Sequence, residues 1–155
     1  MHATRSMAPG WRPALRLFAT ALATCLAGCG ASQPGADVEV ARIASPDGAV
    51  DAVLTEYNPG ATASFVYRVH VVGHDDAWDS APVAAELYGA TRNASAYGVD
   101  LHWRDAGTLE ARYLRARSIE VPKSKLDIDG HAVTVVLRAG VENPDAPAGG
   151  MAPAP

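Results

Sequence analysis

Residues 99–113 read VDLHWRDAGTLEARY. On an extended chain Val99, Leu101 and Trp103 share one side, and Asp100, His102 and Arg104 the other, because successive strand side chains point to opposite faces. After Asp105-Ala106-Gly107 the alternation resumes, with Leu109, Ala111 and Tyr113 on one face and Glu110 and Arg112 opposite. Two alternating runs around a short loop containing Gly predict a hairpin with one buried face. Trp103 and Tyr113 are expected as cross-strand partners in the core, with His102 and Arg112 turned away.

The same pattern extends outward from this hairpin. Val38, Val40 and Ile43 form an apolar segment that stops at Ser45-Pro46-Asp47-Gly48. There Pro presets φ and Gly closes the turn. A second strand follows over residues 49–56, with Val50, Ala52 and Leu54 on one face. Residues 65–72 alternate again, with Phe65, Tyr67, Val69 and Val71 opposed by Val66, Arg68, His70 and Val72. Residues 83–88 read as a further short strand. Segments 118–128 and 131–137 flank Asp129-Gly130, a preferred two-residue hairpin turn, and Pro122 confines its segment to an edge or a bulge. The expected fold is mainly β: a small antiparallel sheet or β-sandwich of about six or seven strands, with room for one short helix.

Both ends of the chain fall outside this pattern. Arg5, Arg12 and Arg16 precede an uncharged run, residues 17–26, and no acid occurs before Asp37. A positive region, a short apolar run and small residues after it describe a secretory signal peptide. The run is too short for a bilayer, which takes about 20 apolar residues. Leu26-Ala27-Gly28-Cys29 resembles the lipobox of bacterial lipoproteins. That resemblance implies cleavage between Gly28 and Cys29, lipidation of the Cys29 sulfur and acylation of its new amino group. Two or more acyl chains anchor a protein stably. Gly30 after the cysteine, where by resemblance to sorting rules an Asp would retain the protein in the inner membrane, favours the outer membrane.

The domain boundaries follow: 1–28 signal peptide, 29–36 lipidated cysteine and flexible spacer, 37–142 β-rich domain, and 143–155 a Pro/Ala/Gly tail too poor in bulky apolar residues to fold. The whole chain has 13 Lys+Arg against 17 Asp+Glu, a net charge of −4. Removing Arg5, Arg12 and Arg16 with the signal takes the net charge from −4 to −7 (−4 − 3). So acidic a surface argues against nucleic acid, which is bound through cations on phosphate. It also argues against docking of the whole domain on anionic lipid, so the acyl chains carry the attachment. Cys25 leaves with the signal and Cys29 is lipidated, so stability rests on the apolar core rather than on disulfides.

Three stretches carry a further resemblance: SPDG at 45–48, Gly60-Ala61-Thr62, and Val99, Trp103, Asp105, Thr108, Leu109 and Tyr113 in the hairpin. Together they resemble a family of small bacterial envelope proteins that share a domain of unknown function, over residues 45–138. Many members of that family carry Cys just before the Gly-Ala-Thr loop. Pro59 stands there in this chain, so the resemblance implies no thiol chemistry, and it brings no activity.

Chemistry-bearing motifs are few. His70 and His74 invite a metal site, but along a strand four residues span about 13 Å, too far to share one ion. Both are expected to face solvent. Asp127-Ile128-Asp129-Gly130 resembles half of a calcium loop, yet Lys125 and Val136 occupy ligand positions of that register, so a hairpin turn is the reading. No catalytic residues, metal ligands or cofactor are assigned. The candidate binding residues lie in GHDDAWDS, residues 73–80: Trp78 as an aromatic contact, with Asp75, Asp76 and Asp79 favouring a cationic patch on an envelope partner. The bland reading of the loop is a solvated connector with Trp78 folded back over the core. The functional expectation is a lipid-anchored, non-enzymatic envelope module. The alternative is a small hydrolase or metal-dependent enzyme using the loop from His70 to Asp79.

Overall fold

A computed structural model describes residues 35–143; the lipobox and the tail beyond Asn143 lie outside them. The strands run in chain order β1 (Asp37–Ala44), β2 (Val50–Tyr57), β3 (Val66–Gly73), β4 (Ala85–Tyr88), β5 (Arg92–Asn93), β6 (Ala96–Tyr97), β7 (Val99–Asp105), β8 (Thr108–Tyr113), β9 (Ser118–Glu120), β10 (Lys125–Ile128) and β11 (His131–Ala139). They make a five-stranded sheet ordered β1-β2-β3-β4-β9, a four-stranded sheet ordered β10-β11-β8-β7, and the small ribbon β5-β6. No helix occurs among the described residues, and so none there is long and apolar enough to cross a membrane. The protein is a small β-sandwich, as the alternation predicts.

The inner faces of the two sheets supply one core. Val50, Ala52 and Leu54 of β2 and Tyr67, Val69 and Val71 of β3 meet Leu101 and Trp103 of β7, Leu109 and Ala111 of β8, and Val133 and Val135 of β11. The period of two in each strand sorts these side chains inward, and their burial drives the sheets together. The indole of Trp103 also crosses between the sheets: its Nε1 donates to the carbonyl of Ile43 in β1 at 2.9 Å. A buried indole N–H needs such an acceptor.

Within the hairpin the register pairs Trp103 with Leu109 and Tyr113 with Val99. Trp103 and Tyr113 are thus both buried on the core face, but they are not cross-strand partners. Each aromatic faces an aliphatic residue instead. His102 is exposed and Arg112 half-buried on the outer face.

Segment 118–128 divides between the two sheets. Pro122 lacks the N–H that a ladder needs, so the chain leaves the first sheet after Glu120 and joins the second at Lys125. This switch makes β11 run parallel to β8, the only departure from antiparallel pairing among the strands described. Parallel neighbours need a long connection, and here it passes through the other sheet. Asp129 and Gly130 both have positive φ, 52° and 87°, as a type I′ hairpin turn requires.

The SPDG turn also forms as expected. Gly48 has φ 71°, its N–H bonds to the carbonyl of Ser45 at 2.9 Å, and the Ser45 hydroxyl bonds to Asp47 Oδ1 at 2.6 Å.

Candidate functional site

The ladder between β2 and β3 ends at Val50 opposite Gly73, and the loop that follows returns to β4 at Ala85. His74 N–H still reaches the carbonyl of Ala49 at 3.2 Å, and Asp76 N–H closes a turn on Gly73 at 3.0 Å. Asp75 takes a left-handed φ of 63°, a conformation that Asp tolerates better than most residues. A second turn, Ala81 N–H to the carbonyl of Trp78 at 2.9 Å, brings the chain back to Val69, whose carbonyl accepts from Ala84 at 2.8 Å.

Asp51 holds this loop in place. It lies on the outer face of β2 and is 1 % exposed. Its Oδ1 meets His74 Nδ1 at 2.9 Å. Its Oδ2 accepts from Asp75 N–H at 3.0 Å and from the Arg42 guanidinium at 3.0 Å. Arg42 reaches onward to Glu39 at 2.9 Å and to the carbonyl of Asp76 at 3.2 Å. Burial works against the Asp51 charge, but the bonds from His74, Asp75 N–H and Arg42 outweigh it and lower the pKa. The hydrogen bond to Asp51, with the charge of Asp75, raises that of His74.

His70 behaves differently from expectation. It points to the outer face of β3, yet is 4 % exposed, because the loop folds back over it. The Trp78 ring lies over the imidazole, with centroids 5.6 Å apart and planes inclined by 42°. Among the described residues neither ring nitrogen of His70 has a hydrogen-bond partner, and burial lowers its pKa despite the nearby backbone of Ala81 and Pro82. Only His74 of the two histidines faces solvent, at half exposure.

Among the expected binding residues, Trp78 is half-buried while Asp75, Asp76 and Asp79 are exposed. The Asp75 carboxylate also lies 3.5 Å from His74 Nε2. Asp51, His74 and Asp75 therefore bring ligand-type atoms within 4.8 Å of one another. The two oxygens of Asp51 are already engaged by Arg42, His74 and a backbone N–H. A cation on Oδ1 would have to take the place of the hydrogen bond to His74; with that bond made, the group acts as a pin for the loop.

The alternation of β2 concealed Asp51. It put the residue on the face opposite Val50, Ala52 and Leu54, which a one-sided sheet would leave in water. The available signal was its company: Asp51 sits alone in an apolar run, Ala49 to Leu54, where an uncompensated charge would be costly.

A second polar cluster lies at the other end of the same sheet. Glu56 accepts from Tyr67 at 2.8 Å and from Tyr97 at 3.2 Å, and pairs with Arg92 at 2.9 Å. The Arg92 guanidinium stacks 3.6 Å from the Phe65 ring centroid. Burial, then the bond to Glu56, drives the Tyr67 phenol far above its ordinary pKa. These groups engage one another and staple the β5-β6 ribbon to the sheet. Compared with known protein families, curated proteins and solved structures, the chain matches none.

Proposed function

We propose that this chain is a lipid-anchored protein of the bacterial cell envelope, held through Cys29 with the outer membrane favoured, whose β-sandwich is a non-enzymatic binding module. The anchor rests on the short apolar run and the lipobox-like Leu26-Ala27-Gly28-Cys29. The binding role rests on one observation: residues 73–80 are pinned to β2 through Asp51 and to β3 through Trp78 on His70. Exposed Asp75, Asp76 and Asp79 are therefore carried on a fixed base. A loop held before binding loses less entropy when it binds. Three carboxylates on such a loop suit a cationic patch of another envelope component.

The test is photo-crosslinking in intact cells from a reactive residue at Asp79, repeated with Asp75→Asn and Asp76→Asn. A discrete crosslinked partner, lost in the double variant, supports the reading. Absence of any crosslinked product in the wild type removes the loop as the contact. The metal-dependent alternative draws on Asp51, His74 and Asp75. A stoichiometric transition metal in the protein purified from its own membranes, lost in His74→Gln, would replace the binding reading with that one.

A further inference from the structure

The cations of the domain are unevenly partnered. Arg42, Arg68, Arg92, Arg104, Arg112 and Arg138 each form an ion pair with a carboxylate. Arg115, Arg117, Lys123 and Lys125 form no ion pair among the described residues. These last cations sit in one segment of eleven positions, RARSIEVPKSK, whose single acid is Glu120. Taking every second position, two cations, Ile119 and Val121, and two further cations follow one another, with Ile119 at 37 % and Val121 at 45 % exposure. Apart from Ile43, these are the exposed large apolar residues of the described chain.

The segment runs along a free margin of the sandwich. β9 is the last strand of the five-stranded sheet and, among the described residues, pairs only with β4. A short edge strand, Pro122 and flanking lysines are also ways of preventing edge-to-edge aggregation. That purpose accounts for Pro122 and the lysines. It leaves unexplained Val121, exposed between cations that form no ion pair among the described residues, and the open flank of Ile119, which stands opposite buried Leu87 on the core side of the sheet edge.

We infer that this strip, Arg115, Arg117, Ile119, Val121, Lys123 and Lys125, lies against the anionic phospholipid headgroups of the membrane to which the chain is tethered. The inference rests on the lipid-anchor reading above. Cations attract an anionic leaflet over about a Debye length, while apolar side chains between them enter the interface. The net charge of the processed chain, −7 (−4 − 3), argues against docking only if charge is spread evenly, and here it is not.

Chain length fits this geometry. Asp37 pairs with Tyr57, Tyr57 with Val66, Val66 with Tyr88 and Tyr88 with Ser118. The start of β1 and the start of β9 thus lie in one row across the sheet, about 19 Å apart at about 4.8 Å per strand. From Cys29 to Asp37 the chain can span at most about 28 Å. An acyl group on Cys29 and the strip on β9 can therefore reach the same membrane plane together. The tether alone leaves the domain free to rotate, and the strip selects one orientation.

The test uses the full lipidated protein in vesicles of phosphatidylcholine alone or mixed with phosphatidylglycerol. With Cys29 acylated, Val121→Cys supplies a single thiol for a polarity-sensitive fluorophore, and Asp47→Cys on the SPDG turn supplies a control. The expected result is a blue shift and quenching by lipid-borne nitroxide at position 121, only in anionic vesicles. The control should not respond, and the effect should weaken about fivefold for each cation changed to Gln. A label at 121 that stays in water on anionic vesicles overturns the inference. So does crosslinking from that position to a protein instead of lipid in cells. Should mass spectrometry find Cys29 unmodified, the anchor reading fails by itself. The strip is then judged on the full unlipidated chain: co-sedimentation with phosphatidylglycerol vesicles upholds it, and no co-sedimentation overturns it.

Discussion

Asp51 Oδ1 and His74 Nδ1 lie 2.9 Å apart, joining one end of β2 in the first sheet to the first turn of its longest described loop. One partner is 1 % exposed and the other half-exposed. The bond therefore spans the boundary between the packed outer face of β2 and solvent. Because Asp51 also accepts from Arg42 and Asp75 N–H, it couples β1, β2 and the loop through one carboxylate.

Asp51→Asn should therefore loosen the loop more than the sandwich. The amide keeps one acceptor oxygen but turns donor atoms toward other donors. A loss of about 1–3 kcal/mol follows from leaving buried polar groups unsatisfied. Urea unfolding should show a lower midpoint, and the amide of Asp75 should exchange with solvent faster than those of β7 and β8. Unchanged exchange at Asp75 would mean that the loop is held by something else.

The two histidines should bend the pH dependence of stability in opposite directions. Burial lowers the pKa of His70 below 6.5. As pH falls below 6.5 the unfolded chain takes up the proton first, and stability drops until the folded pKa is passed. His74 has a raised pKa through Asp51, so its contribution is complete below 6.5 and disappears as pH rises through its folded value. His70→Phe should abolish the loss just below 6.5, and His74→Gln the loss just above it. Chemical unfolding at a series of pH values reads both, and a His70→Phe profile that matches the wild type on the acid side counts against the first.

Trp103→Ala should cost about 3–5 kcal/mol, the range for emptying a buried aromatic site. A small domain has about 5–15 kcal/mol in all, so the variant should be marginal. Trp103→Phe separates packing from hydrogen bonding. It keeps most of the ring volume but strands the carbonyl of Ile43, and should cost about 1–3 kcal/mol. A Trp103→Ala domain that melts with the wild type would refute the packing described for this hairpin.

Cys29→Ser tests the anchor independently of the fold. The variant should lack the lipid mass and leave the membrane fraction or stall before processing, while the far-UV spectrum of its sandwich stays unchanged. A wild-type mature protein with a free Cys29 thiol contradicts the anchor directly.

What could be read from residues alone was the part governed by a period of two. Residues 99–113 placed Trp103 and Tyr113 on the core face because one face of that hairpin is wet. β2 and β3 are covered on both faces near the loop, so alternation there misjudged His70 and passed over Asp51. The covering is tertiary: Arg42, Trp78 and the turn at Asp75 come from elsewhere in the chain. Pro122 correctly marked an edge. The switch of sheets that it permits, and the parallel pairing of β8 with β11, depend on strand order, which local pattern does not carry. The site was half legible for the same reason: its exposed carboxylates stand together in GHDDAWDS, while the residue that fixes them lies in β2.

Trp78 decides how the loop makes contact. Its ring is half-buried and lies 5.6 Å from that of His70, an apolar cover over an imidazole that has no hydrogen-bond partner among the described residues. Once the signal has been cleaved, Trp11 is gone, and emission comes from Trp78 and the buried Trp103. The spectrum lost in Trp78→Phe is then that of Trp78 alone. It should be only partly open to an aqueous quencher, and should dim as pH falls through the lowered pKa of His70, because a protonated imidazole quenches an adjacent indole. The pH response should vanish in His70→Phe. That result keeps Trp78 as the loop's fastening and leaves Asp75, Asp76 and Asp79 as the contacting groups. A Trp78 component fully open to quencher and indifferent to His70 would release the ring from this role and make it a contact residue in its own right.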